Sequence, residues 1–370
     1  MFHLYITLAY IIPNIYVFFR VRKLFIDKKY IWWYVFIYLF IALIYPLSER
    51  FSNQDANLFL RIISVVSGYI LPFFLYFFLC IFLFDLFLLI NRWAKMISVE
   101  MGKSFSFRVY TLSSMILLSI LVVVGGAINL NSIRVSKYEI SVSKKNSGID
   151  DLRIVFVADM HINKNLNLHF VEQFVRKANA LKPDIMLYGG DMLEGDRENE
   201  STRAIDSLLK TIRTRYGSYG VLGNHEFYGG DESDGFFKKA GIILLNDTIV
   251  NIDHSFSLAG RVDQHYRKRK SIETILKVDT LQLPIILMDH RPTELQEVSR
   301  TEADVQFSGH THNGQLFPIN LIVKSMYELA WGYEKIGDTH FFVTSGLRLW
   351  GPPVKTAGKS EIMLVDIHFE

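Results

Sequence analysis

Residues 153–161 read RIVFVADMH, and residues 184–191 read DIMLYGGD. Each is a short, partly β-branched apolar run that ends abruptly in Asp or Asp-x-His. A buried strand of four to six residues has that form. Between them, Leu166–Leu181 carries apolar residues at helical spacing and stops before Pro183, which cannot continue a helix. Strand and helix alternate again through Thr202–Arg213 (helix) and Tyr219–Leu222 (strand). The later runs Gly241–Leu245, Thr248–Ile252, Phe256–Ala259, Pro284–Met288, Asp304–Phe307, Phe341–Thr344 and Glu361–Ile367 read as strands. Early alternation followed by strand-rich segments predicts stacked mixed sheets flanked by helices over residues 151–370. No internal repeat is present, and some 220 residues are ample for a core.

The first 130 residues are a different material. The chain of 370 residues is 50% hydrophobic and 14% aromatic, with a mean hydropathy of +0.21. That excludes the disordered and low-complexity classes. Residues 1–130 hold eleven Lys and Arg against five Asp and Glu, a net of +6. Residues 131–370 hold 29 against 32, a net of −3, together with ten of the eleven histidines. A single cysteine, Cys80, excludes an internal disulfide.

Four apolar stretches, about 2–19, 31–47, 62–90 and 110–130, approach the roughly 20 residues that a helix needs to cross a bilayer. They predict a transmembrane domain of four helices, a linker over 131–150, and a separate domain over 151–370. The first stretch reads as a span and not as a cleaved leader, because its basic residues follow the apolar run. Arg20, Arg22, Lys23, Lys28 and Lys29 in the first loop, and Arg92, Lys95, Lys103 and Arg108 in the third, outnumber Arg50 and Arg61 in the second. The positive-inside rule then puts both termini outside the cytoplasm, with the domain after residue 150 extracytoplasmic on a cell (inner) membrane. Asp85, inside the third stretch, reads first as a residue near the end of an over-long helix that reaches the interface and second as a functional intramembrane carboxylate.

Five polar clusters stand directly after predicted strands: Asp159-Met160-His161, Gly189-Gly190-Asp191, Gly223-Asn224-His225-Glu226, Asp289-His290 and Ser308-Gly309-His310-Thr311-His312. Oxygen and imidazole donors without thiolate suit Mn, Fe or Zn better than a structural zinc site. The rim so formed collects Asp, His, Asp, Asn, His, His and His, seven donors and more than one ion needs. Two divalent ions sharing a carboxylate account for the surplus, and Asp191 is the natural bridge. Each cluster alone is weak evidence; all five, in order at strand ends, are strong together.

The series ADMH, GGDM, GNHE, DH and GHTHNGQ resembles the calcineurin-like metallophosphoesterases, closest to their membrane-associated or secreted bacterial branch. The likeness covers roughly Asp151 to Glu370, and the closing TSGLRLWGPPVK is similar to that branch's final segment. Arg348, Leu349 and Lys355 depart from it. The resemblance implies a four-layer sandwich. It assigns Asp159, His161, Asp191 and His312 to one metal, and Asp191, Asn224, His290 and His310 to a second. His225 is the histidine facing the leaving group. The implied reaction is hydrolysis of a phosphate ester or phosphoanhydride by metal-activated water, with Mn²⁺ as the first choice of ion and Fe or Zn as alternatives.

Tethering favours a phosphorylated lipid or cell-envelope phosphodiester in the same membrane. Soluble nucleotides or phosphomonoesters are the alternative among enzymes, and a non-catalytic receptor or scaffold is the alternative outside them. Arg267-Lys268-Arg269-Lys270 reads first as a solvated loop and second as an anion attractor. Asp231, Glu232 and Asp234 read as a solvated loop. Phe317–Val323 and Leu329–Trp331 read as core, or as a lipid-facing rim in a tethered domain. The acidic balance of the second domain argues against nucleic acid.

Overall fold

A computed structural model describes residues 2–51, 58–163, 166–194, 200–228, 233–266, 268–278 and 281–370. It divides into two units.

The first unit takes the chain up to Ile128, together with Gly351–Thr356. Its helices are α1 (Phe2–Phe25), α2 (Ile31–Phe51), α3 (Leu58–Ala94), α4 (Val99–Lys103) and α5 (Phe105–Leu130). Among the described residues three helical segments are long and apolar enough to cross a membrane: Lys28–Ser48, Ile62–Ala94 and Phe105–Leu130. α1, where the first span is expected, is a helix of 24 residues with Arg22 and Lys23 in its last turn. Most large apolar side chains of these helices face outward, while Val17, Val21, Phe74, Phe77 and Ile81 pack inside. That inversion suits a lipid solvent.

Asp85, expected near the end of an over-long helix, is paired inside the unit. It lies nine residues before the end of α3 and accepts hydrogen bonds from the Tyr16 hydroxyl and from Arg20, whose Nε is 2.6 Å away. A carboxylate in an apolar setting persists when a cation and donors satisfy it, and Arg20 on α1 supplies both. Within the same unit, the backbone N–H of Lys355 donates to Gly126 O at 3.1 Å, and the Thr356 and Tyr76 hydroxyls are hydrogen-bonded. A Cβ at Gly126 would lie 2.6 Å from Val354 Cγ1, so the close approach requires glycine.

The second unit, Asn129–Trp350 with Ala357–Glu370, holds twelve strands among the described residues. They are β1 (Ile133–Val142), β2 (Asp151–Val157), β3 (Ile185–Tyr188), β4 (Ser218–Gly220), β5 (Ile242–Leu244) and β6 (Thr248–Ile252). Then come β7 (Phe256–Arg261), β8 (Ile285–Asp289), β9 (Val305–Ser308), β10 (Gly332–Ile336), β11 (Thr339–Val343) and β12 (Ser360–Phe369). The helices are α6 (Leu168–Ala180), α7 (Glu200–Leu209), α8 (Asn224–Tyr228), α9 (Ser233–Lys239), α10 (Ile272–Leu276), α11 (Leu295–Val298) and α12 (Ile319–Met326). Asp231 and Glu232 lie outside the described residues, and Asp234 falls in α9.

Two six-stranded mixed sheets result, ordered β1-β12-β2-β3-β4-β5 and β10-β11-β9-β8-β7-β6. The strand alternation explains the layering. Ile154 and Phe156 of β2 pack with Ile286, Met288 and Phe307 between the sheets, while Val155 and Val157 face α6 and α7 through Phe174 and Ile205. On the other side Ile285 and Leu287 of β8 face Ile275 of α10 and Val298 of α11. The order is helix, sheet, sheet, helix, the expected four-layer sandwich.

The segment 131–150 is not only a linker. β1 occupies half of it and pairs in parallel with β12, from Ile133 opposite Ser360 to Val142 opposite Phe369. Ile133, Ile140 and Val142 turn inward while Arg134 and Lys137 stay exposed, so charges on the outer face mask a strand period.

Candidate metal centre

Each expected donor follows the carboxyl end of a strand. Asp159 and His161 follow β2, Asp191 follows β3, and Asn224 opens α8 after β4. His290 follows β8, and His310 and His312 follow β9. β2, β3 and β4 belong to one sheet and β8 and β9 to the other, so the donors meet where the two sheets present neighbouring edges. Sharp turns bring them in. Asp159, His161, Asp191, His310 and His312 all have φ between 46° and 70°, the left-handed region that costs a non-glycine residue roughly 1–2 kcal/mol. Such strain gathers at functional sites.

Three donor groups converge, their ligand atoms within 4.8 Å of one another: Asp159, His161 and His312; His161, Asp191 and His225; Asp191, His290 and His310. Asp191 is common to two of them. Its Oδ2 is 3.2 Å from His290 Nε2 and 4.0 Å from His161 Nε2, and its Oδ1 accepts from the backbone N–H of His225 at 2.8 Å. Asp159 accepts from the N–H of His310 at 3.1 Å. His290 Nδ1–H donates to Gly189 O at 2.8 Å, which turns Nε2 towards Asp191. The Nε2 atoms of His161 and His312 face each other at 3.2 Å. A Cβ at Gly223 would fall 2.2 Å from Asp191 Oδ1, so only glycine admits this carboxylate.

These residues fit divalent ions. The Asn224 carbonyl oxygen is buried and accepts no hydrogen bond among the described residues, a condition that costs about 1–3 kcal/mol unless a cation or water satisfies it. Burial, reinforced by His290 and Arg291, pushes the His310 imidazole down to about 3 and leaves it a neutral donor. Burial would lower His290 as well, but Asp191 and then Asp159 and Asp263 raise it to about 10. Burial lowers His225, against the pull of Asp191. His225 and His310 are part-exposed while the other six are buried, so these two rings border the opening.

Glu226 carries a role that its place in GNHE does not announce. Its carboxylate accepts four backbone N–H groups, from Asp191 (3.0 Å), Met192 (2.6 Å), Leu193 (3.0 Å) and Gly223 (2.7 Å), and so ties the turn after β3 to the turn after β4. Burial and the Asp191 charge push its carboxyl up to about 7, while the N–H donors favour the ionised form. Asp289, beside His290, does not join the donors. It pairs inward with Arg269 at 2.5 Å and Arg261 at 3.5 Å, and burial raises it to about 6 against these two cations. Arg269 therefore corrects the reading of 267–270 as a solvated loop: its side chain is buried. Arg267 lies outside the described residues. Trp350, also unassigned by sequence, sets its ring 6.4 Å from that of His225, while Arg348 stacks its guanidinium over Phe170 at 4.6 Å. Lys355 falls in the helical unit.

The family model of the calcineurin-like phosphoesterases matches residues 152–314. An uncharacterized metallophosphoesterase of Campylobacter jejuni is 30% identical over 301 residues, covering 76% of this chain and 78% of the relative. The chain belongs to the calcineurin-like metallophosphoesterases. Another member, from Helicobacter pylori, is 32% identical over 219 residues, covering 57% of this chain and 58% of that protein, so the chain spans little more than half of this relative's length. A zebrafish (Danio rerio) transmembrane protein with metallophosphoesterase domain is 29% identical over 305 residues, covering 76% of this chain and 69% of its own. Like that relative by name, the chain has helices long and apolar enough to cross a membrane, three of them among the described residues.

Proposed function

We propose that the chain is a membrane-anchored, two-metal phosphoesterase that hydrolyses a phosphate ester or phosphoanhydride of a phosphorylated lipid or cell-envelope phosphodiester. The observation that carries this reading is the convergence on Asp191 of donors from both sheets, beside the orphaned carbonyl oxygen of Asn224. Asp159, His161, Asp191 and His312 would hold one ion, and Asp191, Asn224, His290 and His310 the other. Two divalent ions, Mn²⁺ by preference, would supply Lewis-acid activation of the phosphoryl group and of the attacking water there.

The protein's own groups do the rest. The His225 backbone N–H holds Asp191 Oδ1, and its ring stands edge-on to His161 at 4.7 Å between centroids, beside the opening. From there its N–H reaches a leaving oxygen and gives it a proton. Burial lowers its pKa, so its imidazolium is a stronger acid than a free one but a minor form at neutral pH, and the step is favoured as the pH falls. Glu226 keeps the two ligand-bearing turns in register. A substrate in the same bilayer gains effective concentration from the tether, and the loop charges support an extracytoplasmic site.

The test is turnover by the full chain in phospholipid vesicles, with Mn²⁺, of a chromogenic diester, a chromogenic monoester and the vesicle lipids. The proposal expects diester or lipid cleavage to exceed monoester cleavage. Preference for the monoester or for a nucleotide would move the substrate to the soluble pool.

A further inference from the structure

β7 and β8 are parallel neighbours, with Arg261 opposite Asp289, so the segments that follow them run side by side beyond the carboxyl ends of the strands. Polar ties join the two segments. Arg291 Nε donates to Asp263 Oδ2 at 2.7 Å, and Gln264 Nε2 donates to Thr293 Oγ1 at 2.7 Å. His265 Nδ1 lies 2.8 Å from Asp263 Oδ1 and 2.9 Å from Arg291 Nη2. Two contacts set this cluster at the metal rim. Arg291 directly follows the expected ligand His290, and Tyr266 stacks on Phe227 of α8, the helix that opens with Asn224 and His225, with ring centroids 6.2 Å apart. After burial, the Arg291 charge is among those that lower His225 and His310, the two rings that border the opening. The cluster therefore stands beside the donors of the second ion.

The guanidinium of Arg291 is only half engaged. Asp263, fully buried, takes Nε, and His265 meets Nη2 from the same side. Nη1 makes no hydrogen bond among the described residues, and the side chain is 18% exposed. The neighbouring arginines differ. Arg261 and Arg269 each pair with Asp289 and Glu294 and each donate to a backbone carbonyl, Lys270 O and Val262 O. Those two hold the protein together, whereas Arg291 keeps the end of its fork open towards solvent at the rim. A planar fork whose plane is fixed by a buried carboxylate matches a pair of anionic oxygens. A phosphodiester has only two non-bridging oxygens, and the two ions would engage these. The cation beside them is left for an anionic oxygen further along the substrate.

We propose that Arg291, set by Asp263 and His265, receives a second phosphoryl group joined to the reacting one, so that the preferred substrate is a phosphoanhydride and not a simple diester. The inference rests on the phosphoesterase reading and chooses between the two bond classes that it allows.

The experiment compares the Mn²⁺-loaded full chain with Arg291→Ala and Arg291→Lys on three substrates: bis(p-nitrophenyl) phosphate, ADP-ribose as a soluble diphosphate and farnesyl diphosphate as a lipid one. The expected result is a higher kcat/KM for at least one diphosphate than for the simple diester. Arg291→Ala lowers that preference by about 10–100-fold, mainly through KM, as loss of a hydrogen bond to a charged group does. Arg291→Lys keeps the charge without the fork and recovers part of the loss; it carries the comparison if the alanine variant does not fold. Equal losses on all three substrates would overturn the proposal and leave Arg291 as a tie between two loops. So would a wild-type preference for the simple diester. Calorimetric binding of the two diphosphates by the same samples separates this inference from the reading beneath it. Binding that weakens in Arg291→Ala without turnover of any substrate leaves the anion receptor and removes the hydrolase; turnover with unaltered selectivity in Arg291→Ala does the reverse.

Discussion

His225 is the residue whose proposed chemistry is most exposed to test. If it protonates the departing oxygen, His225→Ala lowers kcat by about 10²–10⁴-fold on an alkyl phosphoester. The loss is much smaller on a p-nitrophenyl ester, whose leaving group needs no proton; equal losses on both would make His225 a positioning residue. The His290–Asp191 pair gives a pH dependence with a definite sign. Without metal the histidine keeps its proton through neutrality, because Asp191 outweighs burial and raises it to about 10. A divalent ion must displace that proton, so Mn²⁺ affinity rises with pH between 6 and 8 by about tenfold per unit for one proton released. Calorimetry in buffers of different ionisation enthalpy reads both the slope and the proton.

Glu226→Gln replaces one acceptor oxygen with an NH₂ facing backbone donors. It weakens Mn²⁺ binding by about 10–100-fold, as loss of a ligand-orienting partner does, and Glu226→Asp recovers part of it. The donors themselves were legible in the sequence, since each stands where a strand stops. Glu226 was not, because a carboxylate that caps backbone N–H groups from another loop leaves no local pattern. Arg269 was hidden for a similar reason: in a run of four cations, only the fold shows which one turns inward to Asp289.

Among the elements, the central strands were read correctly because β2, β3 and β8 carry near-continuous apolar runs and β9 places Val305 and Phe307 just ahead of the Ser-Gly-His turn. β1 and β10 were missed. β1 lies at the edge of its sheet and carries charge on its outer face, and β10 keeps most of its short length exposed. α12 looks in sequence like core, and only its exposure reveals otherwise. In the helical unit the ion pair between α1 and α3 makes a prediction. Asp85→Leu strands the Arg20 guanidinium and destabilises the unit by about 2–4 kcal/mol. Thermal unfolding in detergent would show the double variant Arg20→Leu/Asp85→Leu recovering part of that loss. A double variant less stable than either single one would mean that the pair is not the reason these residues are there.

At the scale of the whole molecule, the sequence separates a cationic apolar third from an acidic, histidine-rich remainder, and the two compact units follow that division closely. It does not foretell that Gly351–Thr356 returns to the helical unit, since that contact depends on Gly126, far away in sequence. The central claim is that seven donors gathered by two sheets bind two ions and make the chain a hydrolase. The most direct test is bis(p-nitrophenyl) phosphate hydrolysis by the full chain, stripped by chelator and titrated with Mn²⁺, alongside Asp191→Asn. The account predicts no turnover in the stripped protein, activity that reaches its maximum as two ions bind, and loss of both activity and the second ion in the variant. Turnover that survives chelation, or a protein that binds two ions and hydrolyses neither this ester nor any lipid offered, would contradict it.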